Sequence, residues 1–293
     1  MNNINETLVQ SLIDTQFPQW KDLPVRAVST SGWDNRTFHL GEHMLVRLPS
    51  REDYALQVDK EQRWLPVLAP HLPLAIPVPL AQGQPGHGYP WKWSVYRWIS
   101  GETVASSRIA DWDDLAIRLA GFLRAMQAID AAKGPVAGLH SFWRGGALRI
   151  YDAETRRALD ALEGTIDTLA AREIWEAALE TQWHGAPVWV HGDISAGNLL
   201  MRDGHLAGVI DFGQLAVGDP ACDLAVSWTL FQGKNREAFR QHLDYDRGTW
   251  LRGQAWALWK AMMYIINQQT SMNYESKKAL VTIEAIVADF QRG

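Results

Sequence analysis

The chain of 293 residues contains a single cysteine, Cys222. One thiol excludes an intramolecular disulfide framework and fits a reducing cytoplasm, the location expected for the chain. Long apolar stretches are also missing: no run reaches 18 residues and no amino-terminal signal pattern is visible, so neither a membrane span nor secretion is expected. The formal charge is −5 and no basic run breaks the mixed charge pattern, which argues against a nucleic-acid partner. Nothing in the chain calls for an obligate protein partner, and no internal repeat or low-complexity stretch occurs. Proline and glycine gather only between residues 73 and 88, where irregular structure is expected.

What is present is a polar constellation in residues 190–213, VHGDISAGNLLMRDGHLAGVIDFG. Asp193 is followed five positions later by Asn198, and Asp211 opens Asp211, Phe212 and Gly213. Phosphoryl transfer from a nucleoside triphosphate uses this order: a base for the acceptor hydroxyl, an amide ligand and a carboxylate ligand for the metal. The intervening segment reads as a hairpin, with apolar-rich runs 198–202 and 205–210 around the turn pair Asp203 and Gly204. In that register Arg202 faces His205 and Asn198 faces Val209, so alternation puts Asn198 and Asp211 on one face. Magnesium takes one or two protein oxygens besides phosphate and water, so this pair is sufficient.

HGDISAGNLL followed by VIDFGQLAVGDPACDLA resembles the aminoglycoside phosphotransferase family, which holds antibiotic and small-metabolite kinases. The resemblance implies an α+β, bilobal protein-kinase-like fold, with a small antiparallel-sheet lobe in residues 1–97 and a larger, mainly helical lobe in residues 98–293. It implies Asp193 as catalytic base, Asn198 and Asp211 as Mg2+ ligands, and ATP or GTP as donor. His191 then braces the loop, and Asp223 hydrogen-bonds it. Gly192 stands where protein kinases carry the arginine that reads activation-segment phosphorylation, and only residues 214–217 separate DFG from GDP, so no activation loop is expected.

The amino-terminal third should build the nucleotide roof from strands 25–30, 37–40 and 44–49 and a helix over 53–69. The loop of Ser31, Gly32, Trp33, Asp34 and Asn35 covers the phosphates by resemblance, with Ser31 as its small polar contact. Kinase small lobes pair a third-strand lysine with a helix glutamate. Arg47 and Glu61 occupy those positions here, and arginine's planar fork can meet both phosphate and carboxylate. The hinge falls in WKWSVYRWISGE, where backbone groups of Tyr96, Arg97, Trp98 and Ile99 are expected to bind the base, and the bulk of Tyr96 leaves ATP against GTP open.

Helices are expected over 111–129, 152–162, 171–182, 249–268 and 274–290, and Asp219 with Pro220 should start another through ACDLAVSWTLF. The 15 tryptophans are expected mostly in the core, with a few available as a wall for a ring-shaped acceptor. A polycationic acceptor needs carboxylates, for which Asp152, Glu154, Asp160, Asp244 and Asp246 are candidates. From Thr249 onward, however, bases outnumber acids. The expected reaction is transfer of a γ-phosphate to a small-molecule hydroxyl. An aminoglycoside is the first choice of acceptor; a macrolide, an endogenous metabolite, or a non-catalytic nucleotide-binding module are the alternatives.

Overall fold

A computed structural model describes residues 4–28, 34–267 and 274–292. Helix α1 (Glu6–Gln16) starts where the Asn5 side chain accepts the Leu8 N–H at 3.0 Å, and it buries Val9, Leu12 and Ile13 at helical spacing. Strands β1 (Val25–Ala27), β2 (Asn35–Leu40) and β3 (Met44–Pro49) follow, then helix α2 (Glu52–Leu68) and strands β4 (Pro79–Gly83) and β5 (Trp93–Arg97). The five strands form one antiparallel sheet in the order β1-β2-β3-β5-β4. Its inner face carries Phe38, Leu40, Val46, Leu48 and Val95, which meet α1 in a core of their own.

Two expectations change here. The strand expected over 25–30 ends at Ala27, and Ser31, Gly32 and Trp33 lie outside the described residues. The stretch from 73 to 88 contains a strand rather than only irregular chain. As an edge strand, β4 tolerates Pro79 at its first position. Gly83 ends it because the Trp93 ring lies against the backbone there, and an added Cβ would sit 1.9 Å from that ring.

The larger part begins with β6 (Glu102–Thr103) and α3 (Trp112–Gln127), continues through α4 (Asp152–Ala161) and α5 (Thr168–Leu179), and reaches β7 (Val188–Val190). Then come β8 (Leu199–Arg202), β9 (His205–Val209), β10 (Ala216–Gly218), the short helices α6 (Ala221–Leu224) and α7 (Val226–Thr229), α8 (Gly233–Gln241), α9 (Arg247–Asn267) and α10 (Tyr274–Gln291). The single helix expected through ACDLAVSWTLF is interrupted at Ala225, whose carbonyl accepts from both Trp228 and Thr229 and tightens the turn. The main core joins α3, α5, β7, α9 and α10, and it also takes in Leu65 and Leu68, so the last turn of α2 packs with the larger part.

Asp111 caps α3 by accepting the Asp113 and Asp114 N–H groups at 3.0 and 2.9 Å. Asp111→Ala is expected to cost about 1 kcal/mol of stability, read as a small drop in melting temperature with turnover unchanged.

The hairpin of β8 and β9 pairs Arg202 with His205 through Asp203 and Gly204, whose φ values of 53° and 82° are those of a type I′ turn. The far end departs from the simple register. Leu200 faces Gly208 while Met201 faces Leu206, so Ala207 is bulged and Leu199, not Asn198, faces Val209. Ala75 holds the bulge: its N–H donates to Ala207 O at 3.1 Å, and its carbonyl accepts from Val209 at 2.9 Å. Asn198 instead accepts the Ile210 N–H at 2.9 Å through its own carbonyl, which brings it beside the residue preceding Asp211.

Candidate active site

Strand β7 leads into the loop that carries His191, Gly192 and Asp193. His191, fully buried, accepts the Asp193 N–H on Nδ1 at 3.1 Å and meets Ile210 O through Nε2 at 3.0 Å, so the ring proton sits on Nε2 and the imidazole ties the loop to the end of β9. Gly192 has φ 85°, and a Cβ there would lie 2.8 Å from both Arg144 Cβ and Gln214 O, which leaves glycine as the residue that fits. Asp223, fully buried, accepts the His191 and Gly192 N–H groups at 2.8 and 2.7 Å. Burial pushes its carboxyl pKa up, against these donors.

Asp193 is half-buried at the head of this loop. Asn198 Nδ2 donates to Asp193 O at 2.9 Å, which leaves the amide oxygen of Asn198 for a cation. Lys260 Nζ on α9 lies 2.8 Å from Asp193 Oδ1. Burial works to raise the Asp193 carboxyl, but the Lys260 ammonium, supported by Arg144, outweighs it and holds the group below its ordinary range.

Asp211 takes a left-handed backbone, φ 67°, as β9 ends. Its Oδ1 accepts from Arg47 Nη2 at 2.8 Å, and Arg47 Nη1 lies 3.4 Å from Glu61 Oε1. Arg47 therefore joins the small sheet, helix α2 and the turn after β9. Burial disfavours its charge, but Glu61 and Asp211 more than restore it, raising its pKa. The Tyr96 hydroxyl donates to Glu61 Oε2, and the ring is buried, so this side chain is a second anchor of Glu61. Asp34, at the described edge of the phosphate-covering loop, has its carboxyl raised by burial and by the charge of Asp211.

Two backbone amides of the expected hinge are already in use. Arg97 N–H donates to Val78 O at 3.0 Å and Trp98 N–H to His43 O at 2.8 Å, so these two amides are committed within the fold. What Arg97 and Trp98 can offer a base is their carbonyls, with Ile99 next along the chain.

Three side chains were not legible as site residues. Lys60 is buried with Nζ 2.7 Å from Gly213 O, 2.8 Å from His140 O and 3.1 Å from His140 Nδ1, which occupies all three ammonium donors. Burial draws its pKa down to about 7. Arg144 follows two residues of left-handed backbone, Phe142 and Trp143, and its guanidinium lies over the rings of Tyr151, Trp256 and Trp259 at 5.5, 5.0 and 4.6 Å. Lys260 was visible in the sequence only as one positive charge among several near the carboxyl end.

The candidate acceptor carboxylates mostly serve internal structure. Asp152 holds Arg156 and Trp175 Nε1, Asp160 holds Arg172, and Asp246 caps Thr249. Glu154 accepts from Trp259 Nε1 at 2.9 Å, at the edge of the aromatic cluster. Asp219 accepts the Ala221 N–H at 3.0 Å, as expected of a cap, although α6 itself begins after Pro220. Its main partner is the buried Arg252, with Nε at 2.6 Å from Oδ2. No group of three or more His, Cys, Asp or Glu side chains is arranged to hold a metal among the described residues.

The fold is the one found in solved aminoglycoside and macrolide phosphotransferases. The GDP complex of wild-type aminoglycoside 2′-phosphotransferase-IIIa matches with a TM-score of 0.67 at 21% identity, covering 98% of this chain and 99% of that one. Macrolide 2′-phosphotransferase MphH from Brachybacterium faecium matches with a TM-score of 0.60 at 24% identity, over 94% and 98% of the two chains. The profile of the phosphotransferase enzyme family matches residues 25–259, and the chain belongs to that family. Among curated relatives, YcbJ of Bacillus subtilis (strain 168) is 26% identical over 216 residues, 72% of this chain and 65% of that protein. An aminoglycoside 3′-phosphotransferase of Escherichia coli is 32% identical over 123 residues, 39% of this chain and 42% of that protein. The matched regions thus span less than two thirds of either relative.

Proposed function

We propose that this protein transfers the γ-phosphate of ATP or GTP to a hydroxyl of a small molecule, with the triphosphate bound between residues 1–97 and 98–293. The observation that carries the proposal is the catalytic loop itself: Asn198 spends its amide N–H on the Asp193 carbonyl, which aims a carboxylate and an amide oxygen into one cleft. Asp193 accepts the acceptor's proton while that oxygen forms a bond to the γ-phosphorus. The bond from phosphorus to the β-phosphate oxygen breaks, and a nucleoside diphosphate leaves with the electron pair.

Asn198 and Asp211 offer one amide oxygen and one carboxylate, a donor set that suits Mg2+ alongside phosphate and water. When bound there, the ion neutralises charge on the phosphates. Arg47, held between Glu61 and Asp211, is placed to meet the same phosphates through its fork. Asp211→Ala is expected to weaken magnesium-nucleotide binding by at least ~10-fold, since even outer partners of a metal ligand cost that much when removed. Titration calorimetry with and without magnesium reads it, and an equal loss in both conditions counts against the ligand role.

Kinship with aminoglycoside phosphotransferases supports an aminoglycoside acceptor. The Lys260 ammonium beside Asp193 favours a second reading, a macrolide or an endogenous alcohol, because a polycation would bring further ammonium groups toward it. Nucleoside diphosphate release with ATP and GTP, measured against aminoglycosides, macrolides and small alcohols, tests the function and separates the two acceptors. Acceptor-dependent release supports the kinase; nucleotide binding without release under any condition sinks it in favour of a non-catalytic module.

A further inference from the structure

The two oxygens of Asp193 have different surroundings. Oδ1 is 2.8 Å from Lys260 Nζ, while among the described residues Oδ2 receives only the long 3.4 Å approach of Asn198 Nδ2. The Asp193 and Lys260 side chains are 32% and 23% exposed, so the pair is open to solvent rather than closed within the core.

Lys260 reaches this point from a helix 67 residues away, and its support is specific. The neighbouring Trp259 and, one turn back, Trp256 stack on the Arg144 guanidinium, and Trp259 Nε1 is fixed by Glu154 Oε2. Arg144 in turn lies so close to the catalytic loop that a methyl on Gly192 would meet its Cβ at 2.8 Å. Arg144 Nη1 donates to Phe142 O at 3.2 Å and to the Tyr151 hydroxyl at 2.9 Å, so hydrogen bonds as well as ring stacking fix where this arginine sits. The turn of α9 that carries Lys260 is therefore fastened to the catalytic loop from behind.

We propose that Lys260 is a positioning residue of the transfer step: by holding Oδ1 of Asp193 it turns Oδ2 toward the acceptor hydroxyl. The inference rests on the reading of Asp193 as the base. Lys260 gives up no proton; the hydroxyl proton passes to Oδ2, and the ammonium fixes the carboxylate rotamer that receives it. A base held in place by one oxygen needs no reorientation when the acceptor arrives, and misplacement of a reacting group by about 1 Å is enough to lower a rate by about 10²-fold.

The test measures nucleoside diphosphate release from ATP and from GTP, with water alone and with kanamycin, erythromycin and inositol as probe acceptors. It compares the wild type, Lys260→Met, Lys260→Arg and Asp193→Asn, with melting temperatures recorded for all four. Lys260→Met is expected to lower kcat by about 10²-fold and to leave the nucleotide KM within about twofold, and Lys260→Arg is expected to regain most of the rate. Wild-type kcat in Lys260→Met, or a loss confined to nucleotide KM, overturns the role of Lys260 while Asp193 keeps its own. Equal release by the wild type and Asp193→Asn removes the base reading, and Lys260 with it. A wild type that binds nucleotide and releases no diphosphate, even to water, overturns both.

Discussion

Asp193→Asn is expected to lower kcat for phosphoryl transfer by about 10²- to 10⁴-fold, the range that general bases supply. The amide has nearly the same shape, its one oxygen can still accept from Lys260, and Asn198 keeps its bond to the backbone carbonyl of residue 193, but the side chain cannot take the hydroxyl proton. Nucleotide affinity should be little changed, because Arg47, Glu61 and Asp211 form a separate cluster linked by their own ion pairs. Single-turnover transfer together with equilibrium nucleotide binding checks both halves. Retained turnover in a folded Asp193→Asn protein removes the mechanism.

The second large effect is on stability. Asp223→Ala leaves the His191 and Gly192 N–H groups buried without their acceptor. Each orphaned group costs about 1–3 kcal/mol, so a total near 4 kcal/mol is expected. In a chain of this size that corresponds to a fall in melting temperature of about 10 °C. Part of the loss is offset because a buried carboxylate is itself unfavourable, as its raised pKa records. Asp223→Asn keeps one acceptor oxygen and should fall between the two. A melting curve of Asp223→Ala that overlays the wild type removes the account of this residue as the strut of the loop.

These residues differ in how openly the sequence displays them. Asp193, Asn198 and Asp211 stand close together in the chain, and the I′ turn at Asp203 and Gly204 announces the hairpin between them. Strand β3 runs over the residues expected, and the long helices start and end within a few residues of their apolar periodicity. Local pattern encodes such elements. The bulge at Ala207 depends instead on Ala75, a residue outside the hairpin that fills the gap in the ladder. No periodicity within β8 and β9 reports that partner, so the register slips by one at Asn198. The same holds for Lys60 and Gly213, 153 residues apart, and for Lys260 and Asp193. Helix α1, absent from the elements expected, is by contrast locally encoded: Asn5 followed by Val9, Leu12 and Ile13 is a cap and an apolar stripe at helical spacing.

The Lys60 clamp has a pharmacological consequence. Its ammonium ties α2 to the carbonyl of Gly213, just past Asp211, and to His140 of the larger part. Many kinases idle by swinging the equivalent helix outward, which parts the cation from its glutamate. Here the helix that carries Glu61 is bolted to the larger part by the adjacent residue, and its last turn packs into the larger core. Compounds that trap a swung-out helix would find no ready conformation to occupy. Selective inhibitors of this chain should be sought on the acceptor side, where the Asp193 and Lys260 pair and the tryptophans behind it give the cleft its individual character.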